Sequence, residues 1–250
     1  MIKIKLPKKR NIEYIKEYFK KFGIFRHFKS DKNLFSPNLN DLYLIHQFIL
    51  LNKRIAVLEF GCGWSTLVMK HALNLNKIKY LKDIKKLRKK NYFEIFSIDN
   101  QKKYLEITKK RNNLILGKNN KINYIFSECV MTKFNNRICS EYKKLPIINP
   151  DFIYLDGPNP FSVKGKINSF NMSHKELMPM SCDILKIEHF LIPGTIILVD
   201  GRTANARFLR SNFQRNWMHK EDLKNDQHIF LLNEKPLGLI NKEIINFYNK

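Results

Sequence analysis

In a chain of 250 residues, Glu59, Asp99, Glu128, Asp156 and Asp200 each stand at or just past the end of a short apolar run. Gly61 and Gly63 follow the first of them. Carboxylates so placed accept hydrogen bonds from hydroxyl and amino groups, take a proton from an alcohol, or hold a divalent cation. Two glycines permit a tight turn and a close approach of backbone to a ligand. In Val57-Leu-Glu-Phe-Gly-Cys-Gly-Trp-Ser-Thr66 the turn joins an apolar strand to a helix starting near Ser65, whose first N–H groups are unpaired. A nucleotide or nucleoside is the ligand expected there.

Charge narrows the choice. A pyrophosphate-binding turn carries a third glycine where this chain has Thr66. A carboxylate at Glu59 repels phosphate and favours a ligand with positive charge, such as the sulfonium and ammonium of S-adenosylmethionine. Asp99 closes the next apolar run and suits the ribose hydroxyls. It lies 40 positions beyond Glu59, more than the roughly 20 of the simplest unit, and a basic insertion at Lys79–Lys90 accounts for the excess. Glu128 is an acceptor for an adenine amino group. Asp156, in Asp-Gly-Pro-Asn, and Asp200, before Gly201-Arg202, form a pair able to orient an acceptor hydroxyl or take its proton. Two carboxylates with Gly201 beside them leave a metal short of ligands, and no metal site is expected.

From Arg54 onward short apolar runs alternate with amphipathic segments, the pattern of a parallel sheet with crossover helices. The strands read are Ile55–Phe60, Phe93–Asp99, Ile122–Ser127, Phe152–Asp156, Thr195–Asp200 and His228–Leu232, with a last one at Leu237–Ile240. Helices are expected at Ser65–Leu75, Lys102–Asn112, Met180–Phe190 and Ala204–Phe213, with Lys79–Lys90 as a surface or interfacial helix. Ahead of the sheet, Asn40 or Asp41 caps a helix over Leu42–Leu51. Phe19, Phe22, Phe25 and Phe28 recur at spacing three along Lys16–Lys29, a stripe read as packing on the main domain. Ligands of such sheets bind at the carboxyl ends of the strands, where the acids lie.

Taken in order, Glu59-x-Gly61-x-Gly63, Asp99, Phe152-Ile-Tyr-Leu-Asp156-Gly and Leu191-Ile-Pro-Gly-Thr195 followed by Asp200 resemble the successive motifs of class I S-adenosylmethionine-dependent methyltransferases. The resemblance covers roughly residues 40–240. It implies an α/β, Rossmann-like seven-stranded, mostly parallel sheet with helices on both faces and the last strand antiparallel. It divides the chain into a helical N-terminal extension, residues 1–50, and a methyltransferase domain, residues 51–250. It implies S-adenosylmethionine as cofactor, with Glu59, Gly61, Gly63 and Ser65 at its methionine part, Asp99 at the ribose, and the loops of Asp156 and Asp200 at the acceptor. Asp156-Gly-Pro-Asn is not the Asp-Pro-Pro-Tyr type of run associated with methylation of base amino groups.

Methyl transfer from a sulfonium is an in-line displacement, so a protein has chiefly to align the partners and exclude water. An alcohol acceptor also needs a base, for which Asp156, Asp200 and His174 are the candidates. His174 lies in the long connection Gly157–Met178, of the kind that works as a lid or binding loop. Lys164, Lys166 and Arg202 are candidates to bind an anionic group of the acceptor, whereas Arg207 and Arg210 read as the wet face of their helix. Trp64 and Phe161 could stack on adenine or acceptor.

The 46 Lys and Arg against 22 Asp and Glu give a formal charge of +24, and 44% hydrophobic residues supply a core, which excludes a disordered or fibrous chain. Lysines spread along the chain are read as a drift of composition rather than a nucleic-acid footprint. No apolar run is long enough to span a membrane, the basic start lacks the features of a secretory signal, and the expected location is the cytoplasm. Cys62, Cys129, Cys139 and Cys182 show no metal-ligand spacing and are read as reduced thiols. The expected function is transfer of a methyl group to oxygen of a small molecule or a glycan or lipid precursor. An RNA methyltransferase using the basic surface and a non-catalytic cofactor-binding protein are the alternatives.

Overall fold

The computed structural model describes residues 2–28 and 36–250. Two helices precede the sheet, α1 (Ile12–Lys21) and α2 (Leu39–Leu51). The cap of α2 is Asn38, whose side chain accepts the Asn40 N–H at 3.1 Å, so neither Asn40 nor Asp41 caps it as expected. β1 (Ala56–Phe60), α3 (Trp64–Ile84), β2 (Glu94–Asp99), α4 (Lys102–Leu116) and β3 (Ile122–Phe126) form the first half of the sheet. A hairpin of β4 (Cys129–Phe134) and β5 (Arg137–Tyr142) follows. Then come β6 (Phe152–Leu155), α5 (Asp183–Ile187), β7 (Ile196–Asp200), α6 (Thr203–Asn212), β8 (Trp217–Asp222), β9 (Gln227–Leu232) and α7 (Gly238–Asn249).

The seven-stranded sheet has the order β3-β2-β1-β6-β7-β9-β8. Its first five strands are parallel, and β9 runs antiparallel to both β7 and β8. This is the Rossmann-like, mostly parallel architecture expected, with two differences. Leu237–Ile240 is not a strand but enters α7, and the edge strand is β8, in which Trp217, Met218, His219 and Lys220 alternate between half-buried and exposed. One wet face leaves an edge strand without the continuous apolar run that betrays a central one. The β4–β5 hairpin is a further element beyond those expected from the sequence; Asn135-Asn136, at φ +48° and +60°, joins its two strands as a two-residue hairpin turn does.

Alternation along the strands builds two cores. Val57, Ile95, Phe152, Tyr154, Ile196 and Leu198 pack with α1, α2 and α3 on one face. Leu58, Phe60, Ile98, Ile153, Leu155, Ile197 and Val199 pack with the hairpin, α5 and α6 on the other. Period-two burial of this kind covers both faces only when each is roofed. Phe19 is fully buried, and Phe22, Phe25 and Phe28 rest on the same core, as read, but in a broken path: α1 ends at Lys21 and Gly23 turns at φ +69°. Lys29 lies outside the described residues.

The helix read at Ser65–Leu75 continues to Ile84, so the basic segment is partly the end of α3, with Leu81, Ile84 and Leu87 packed under α7. Met180–Phe190 contains only the short α5 and a 3-10 turn at Glu188–Phe190. No helix among the described residues is long and apolar enough to cross a membrane.

Candidate active site

The carboxyl ends of β1, β2, β6 and β7 open on one cavity of about 420 Å³. That volume lies in the range of small-molecule sites.

Its floor is the turn after β1. Gly61 sits at φ +89°, and a Cβ there would stand 2.9 Å from Asp156 C, Asp156 O and Gly157 N. Gly157 is the reciprocal partner: a Cβ on it would meet Gly61 N at 2.5 Å. These glycines therefore exist for each other, letting the loops after β1 and β6 touch backbone to backbone across paired strands. At Gly63 a Cβ would meet nothing closer than Ser65 Oγ, at 3.9 Å. The protein packing does not demand glycine there, and Gly63 lies on the cavity lining.

Glu59 is fully buried beneath that turn. Its Oε1 accepts from Ser65 Oγ at 2.6 Å, and its Oε2 accepts from Thr66 Oγ1 at 2.7 Å and Ser97 Oγ at 2.6 Å. Thr66 Oγ1 also accepts the Gly63 N–H at 3.1 Å. Burial pushes this carboxyl up to about 7, against the pull of the three hydroxyls. Glu59 is thus not among the residues lining the cavity: it fixes the turn and the start of α3 from behind, and its charge acts through them.

Asp99, at the end of β2, lines the cavity. The Gln101 N–H donates to Oδ1 at 2.7 Å and the Cys62 N–H to Oδ2 at 3.0 Å, so its orientation is set by backbone. Burial raises its pKa despite those bonds. A carboxylate fixed at both oxygens and facing a hollow is arranged to accept further hydroxyl donors.

The other end is acidic. Asp200 lines the cavity with Oδ2 accepting from Tyr154 Oη at 2.6 Å and Oδ1 from Gln227 Nε2 at 3.1 Å. Asp156 lies beside it, its side chain 54% accessible, with Arg202 Nε 3.4 Å from Oδ1. Arg202 Nη2 donates to the carbonyls of Asp156 at 2.6 Å and Pro158 at 3.2 Å, and its Nη1 is buried with no hydrogen-bond partner among the described residues. The walls push Asp156 up to about 6; Arg202 opposes this and Asp200 adds to it. Burial raises Asp200 as well.

A third carboxylate comes from the first turn of α2. Asp41 lines both this cavity and an adjoining hollow with Asp156, Asp200, Asp226, Lys9 and Lys224. Burial, then the charges of Asp200, Asp156 and Asp226, push it up to about 7.

Of the residues singled out in the sequence, Gly61, Gly63, Ser65, Asp99, Asp156, Asp200 and Arg202 are brought together, with Trp64 and Phe161 on the same lining. Glu128, Lys164 and His174 are not. Glu128 pairs with Lys143 and Lys164 on the β4–β5 hairpin, because Lys164 runs alongside β4 and bridges to Val130. That pairing pins the middle of the long connection to the hairpin, so only its start, through Phe161, reaches the cavity. His174 is exposed, and its Nδ1 accepts the Glu176 N–H at 3.2 Å. Arg207 and Arg210 lie on the exposed face of α6, as read.

Asp41, Tyr154, Tyr104 and Arg111 line the cavity without having been singled out. Tyr154 alternates with core residues of β6, and Tyr104 and Arg111 sit seven apart on one face of α4, a spacing that a polar stripe search would have found. Asp41 carries no local signal, since acids in first helical turns are commonplace. Among the described residues no group of three or more His, Cys, Asp or Glu is disposed to hold a metal ion.

No family model matches the sequence, and no curated protein sequence is similar to it. Solved structures do align over most of the chain. The O-methyltransferase TomG of Streptomyces achromogenes, in complex with S-adenosylmethionine, is 12% identical, with 92% of each chain covered and a TM-score of 0.42. An O-methyltransferase from Bacillus cereus with S-adenosylhomocysteine is 12% identical, covering 91% of this chain and 92% of that one at 0.44. The methyltransferase PaMTH1 of Podospora anserina, bound to S-adenosylhomocysteine, is 12% identical, covering 90% and 91% at 0.47. The likeness is one of fold.

Proposed function

We propose that this chain is an S-adenosylmethionine-dependent methyltransferase that transfers a methyl group to oxygen of a small-molecule acceptor. The reading rests on one observation: a glycine turn, a backbone-fixed acid at the end of β2 and an acidic pair at the ends of β6 and β7 face a single small cavity. Two buried donors at that cavity, Trp64 Nε1 and Arg202 Nη1, have no hydrogen-bond partner among the described residues, as expected of groups that meet a polar ligand.

The turn Gly61–Ser65 and Asp99 would hold the cofactor, the first at its amino-acid part and the second at its ribose. The cofactor supplies an electrophilic methyl on a sulfonium. Asp156 and Asp200 then orient the acceptor hydroxyl, and Asp156, raised to about 6, is ionised at neutral pH yet basic enough to take the proton. Asp200, fixed by Tyr154 and Gln227, is the positioning partner. Arg202 holds the Asp156 loop through two carbonyls and offers Nη1 to an acceptor oxygen. Pro37, Leu42, Ile45 and Phe161 wall the cavity and limit water.

The RNA alternative would lead a basic path to Asp156. Four carboxylates, Asp41, Asp156, Asp200 and Asp226, outnumber Lys9 and Lys224 there, and they repel a phosphate backbone. Incubation with methyl-labelled cofactor and fractionated cell extract tests the reading. Label is expected in a small-molecule or precursor fraction. Label in RNA would favour the alternative, and cofactor binding without transfer to any fraction would leave a binding protein.

A further inference from the structure

The end of the sheet opposite the cavity carries a surface of its own. Strands β1, β2, β6 and β7 run parallel, so the chain entering each of them lies at that end. β9 is antiparallel to β7 and delivers the start of α7 there, with the Leu232 N–H donating to the Thr195 carbonyl at 3.0 Å. A hollow of about 440 Å³ opens among these segments, lined by Arg88, Lys89 and Lys90 before β2, Asn149 before β6, and Leu237 and Ile240 at the start of α7. Asn149 Nδ2 donates to the Phe190 carbonyl at 2.8 Å, which fixes the turn before β7 beside it.

Charge is sorted by direction at this end. Lys85, Lys86, Arg88, Lys90 and Lys235 are exposed and enter no ion pair among the described residues. The acids of the same connections face inward. Asp151 is fully buried and accepts the Ile55 and Ala56 N–H groups, Glu188 is buried and accepts from Trp217 Nε1 at 2.9 Å, and Glu234 accepts from Arg215 Nη2. Lys89 Nζ is buried with no hydrogen-bond partner among the described residues, so the wall of the hollow is positive too. Among these cations stand exposed apolar side chains: Phe190 and Leu239 at 78% accessible, Leu237 at 57% and Ile240 at 41%. Apolar groups gathered at one end and rimmed by charge mark an interaction surface.

Three of the four apolar side chains are aliphatic and offer no ring for a base to stack on, so RNA does not account for them. Phe190 and Leu239 project outward, which suits a deformable apolar layer better than the groove a partner helix needs. Cations around apolar tips match anionic headgroups above hydrocarbon. We propose that this end of the sheet docks on an anionic lipid bilayer surface. Phe190, Leu237, Leu239 and Ile240 enter the boundary between headgroups and acyl chains, and Arg88 and Lys90 meet the phosphates. The cavity at the carboxyl ends of the strands then faces water, and its acceptor arrives from solution.

Flotation with vesicles of phosphatidylcholine alone, or with about a third phosphatidylserine, tests this on the full chain. Wild type is expected on the anionic vesicles and not on the neutral ones. Near an anionic leaflet each Lys or Arg is worth about fivefold, so Arg88→Ala with Lys90→Ala should weaken binding about 10- to 30-fold. Phe190→Ser with Leu239→Ser should weaken it at least about tenfold. Lys109→Ala with Lys110→Ala, exposed on α4, controls for the overall charge of +24 and should change binding less than about threefold. All variants should melt as the wild type does and bind S-adenosylhomocysteine as it does, since their sites lie away from the cavity. Wild type that ignores anionic vesicles, or binds both compositions alike, overturns the docking surface. So does an equal loss from the α4 pair and the Arg88 pair, full binding by the Phe190 and Leu239 variant, or capture of single-stranded oligouridine in place of the vesicles.

Discussion

The two ends of the cavity are built in different ways. At the glycine turn most polar groups are committed to the protein: Glu59 to three hydroxyls, Asp99 to two backbone N–H groups, and the Gly61 N–H to the Ile98 carbonyl. At the acceptor end, carboxylates from α2, β6 and β7 crowd together, and burial first, then their mutual charge, raises the pKa of Asp41 and Asp156. Apart from the Trp64 indole N–H, the first end is satisfied within the protein; the second holds buried, mutually repelling acids that a bound ligand or a proton relieves. A scaffold that fixes one ligand while leaving the partner's side under strain separates binding from reaction, and substitutions should separate them too.

The largest effect is expected at Gly61. Gly61→Ala must push backbone apart at 2.9 Å and hold alanine at φ +89°; denaturant titration should show a loss of more than about 3 kcal/mol, or no folded protein. Gly63→Ala, two residues on, should cost under about 1 kcal/mol of stability and fall on cofactor affinity instead. Equal destabilisation by the two would erase the distinction between packing and ligand glycines.

Next come the acids of the other end. Asp156→Asn should lower kcat by about 10²- to 10⁴-fold with cofactor affinity nearly unchanged, as for loss of a general base. In the wild type kcat should rise with pH through about 6, where Asp156 ionises. A flat profile from pH 5 to 8 would remove Asp156 as the base.

A smaller effect belongs to Glu59. Glu59→Gln leaves at least one of three buried hydroxyls without its acceptor and should cost about 1–3 kcal/mol in denaturant titrations. Glu59 and Asp41 both have folded pKa values raised to about 7. Their protonated forms are the ones the fold prefers, so the stability they contribute is complete below about pH 4 and is lost as pH rises through 7. Asp41→Asn should therefore raise Tm at pH 8 and leave it unchanged at pH 4. The smallest effect is Glu128→Ala, expected to change cofactor affinity by less than about twofold, since Glu128 is paired on the hairpin away from the lining.

The contrast also separates what could be read in the chain from what could not. Glu59, Gly61, Gly63 and Asp99 stand in strand–turn–helix units whose signals are local, and the parallel order follows from their repetition. Asp41 comes to share a cavity with Asp200 only because α2 folds over the strand ends, a juxtaposition across 159 positions that no local pattern records. Glu128 and Lys164 lie off the cavity because the β4–β5 hairpin, whose strands carry no strong apolar run, draws the residues after β3 away from the strand ends. The edge strand β8 was hidden by its wet face, while the last apolar run, Leu237–Ile240, proved to be the start of an amphipathic helix.

The central claim is that Asp99 and the glycine turn hold an adenosyl nucleoside with an amino-acid tail. Calorimetric titration of wild type and Asp99→Asn with S-adenosylhomocysteine tests it most directly. One saturable site per chain in the wild type, weakened at least about tenfold in Asp99→Asn, is the predicted result. Heat from a dinucleotide but none from S-adenosylhomocysteine, or equal affinity in the two proteins, would contradict it.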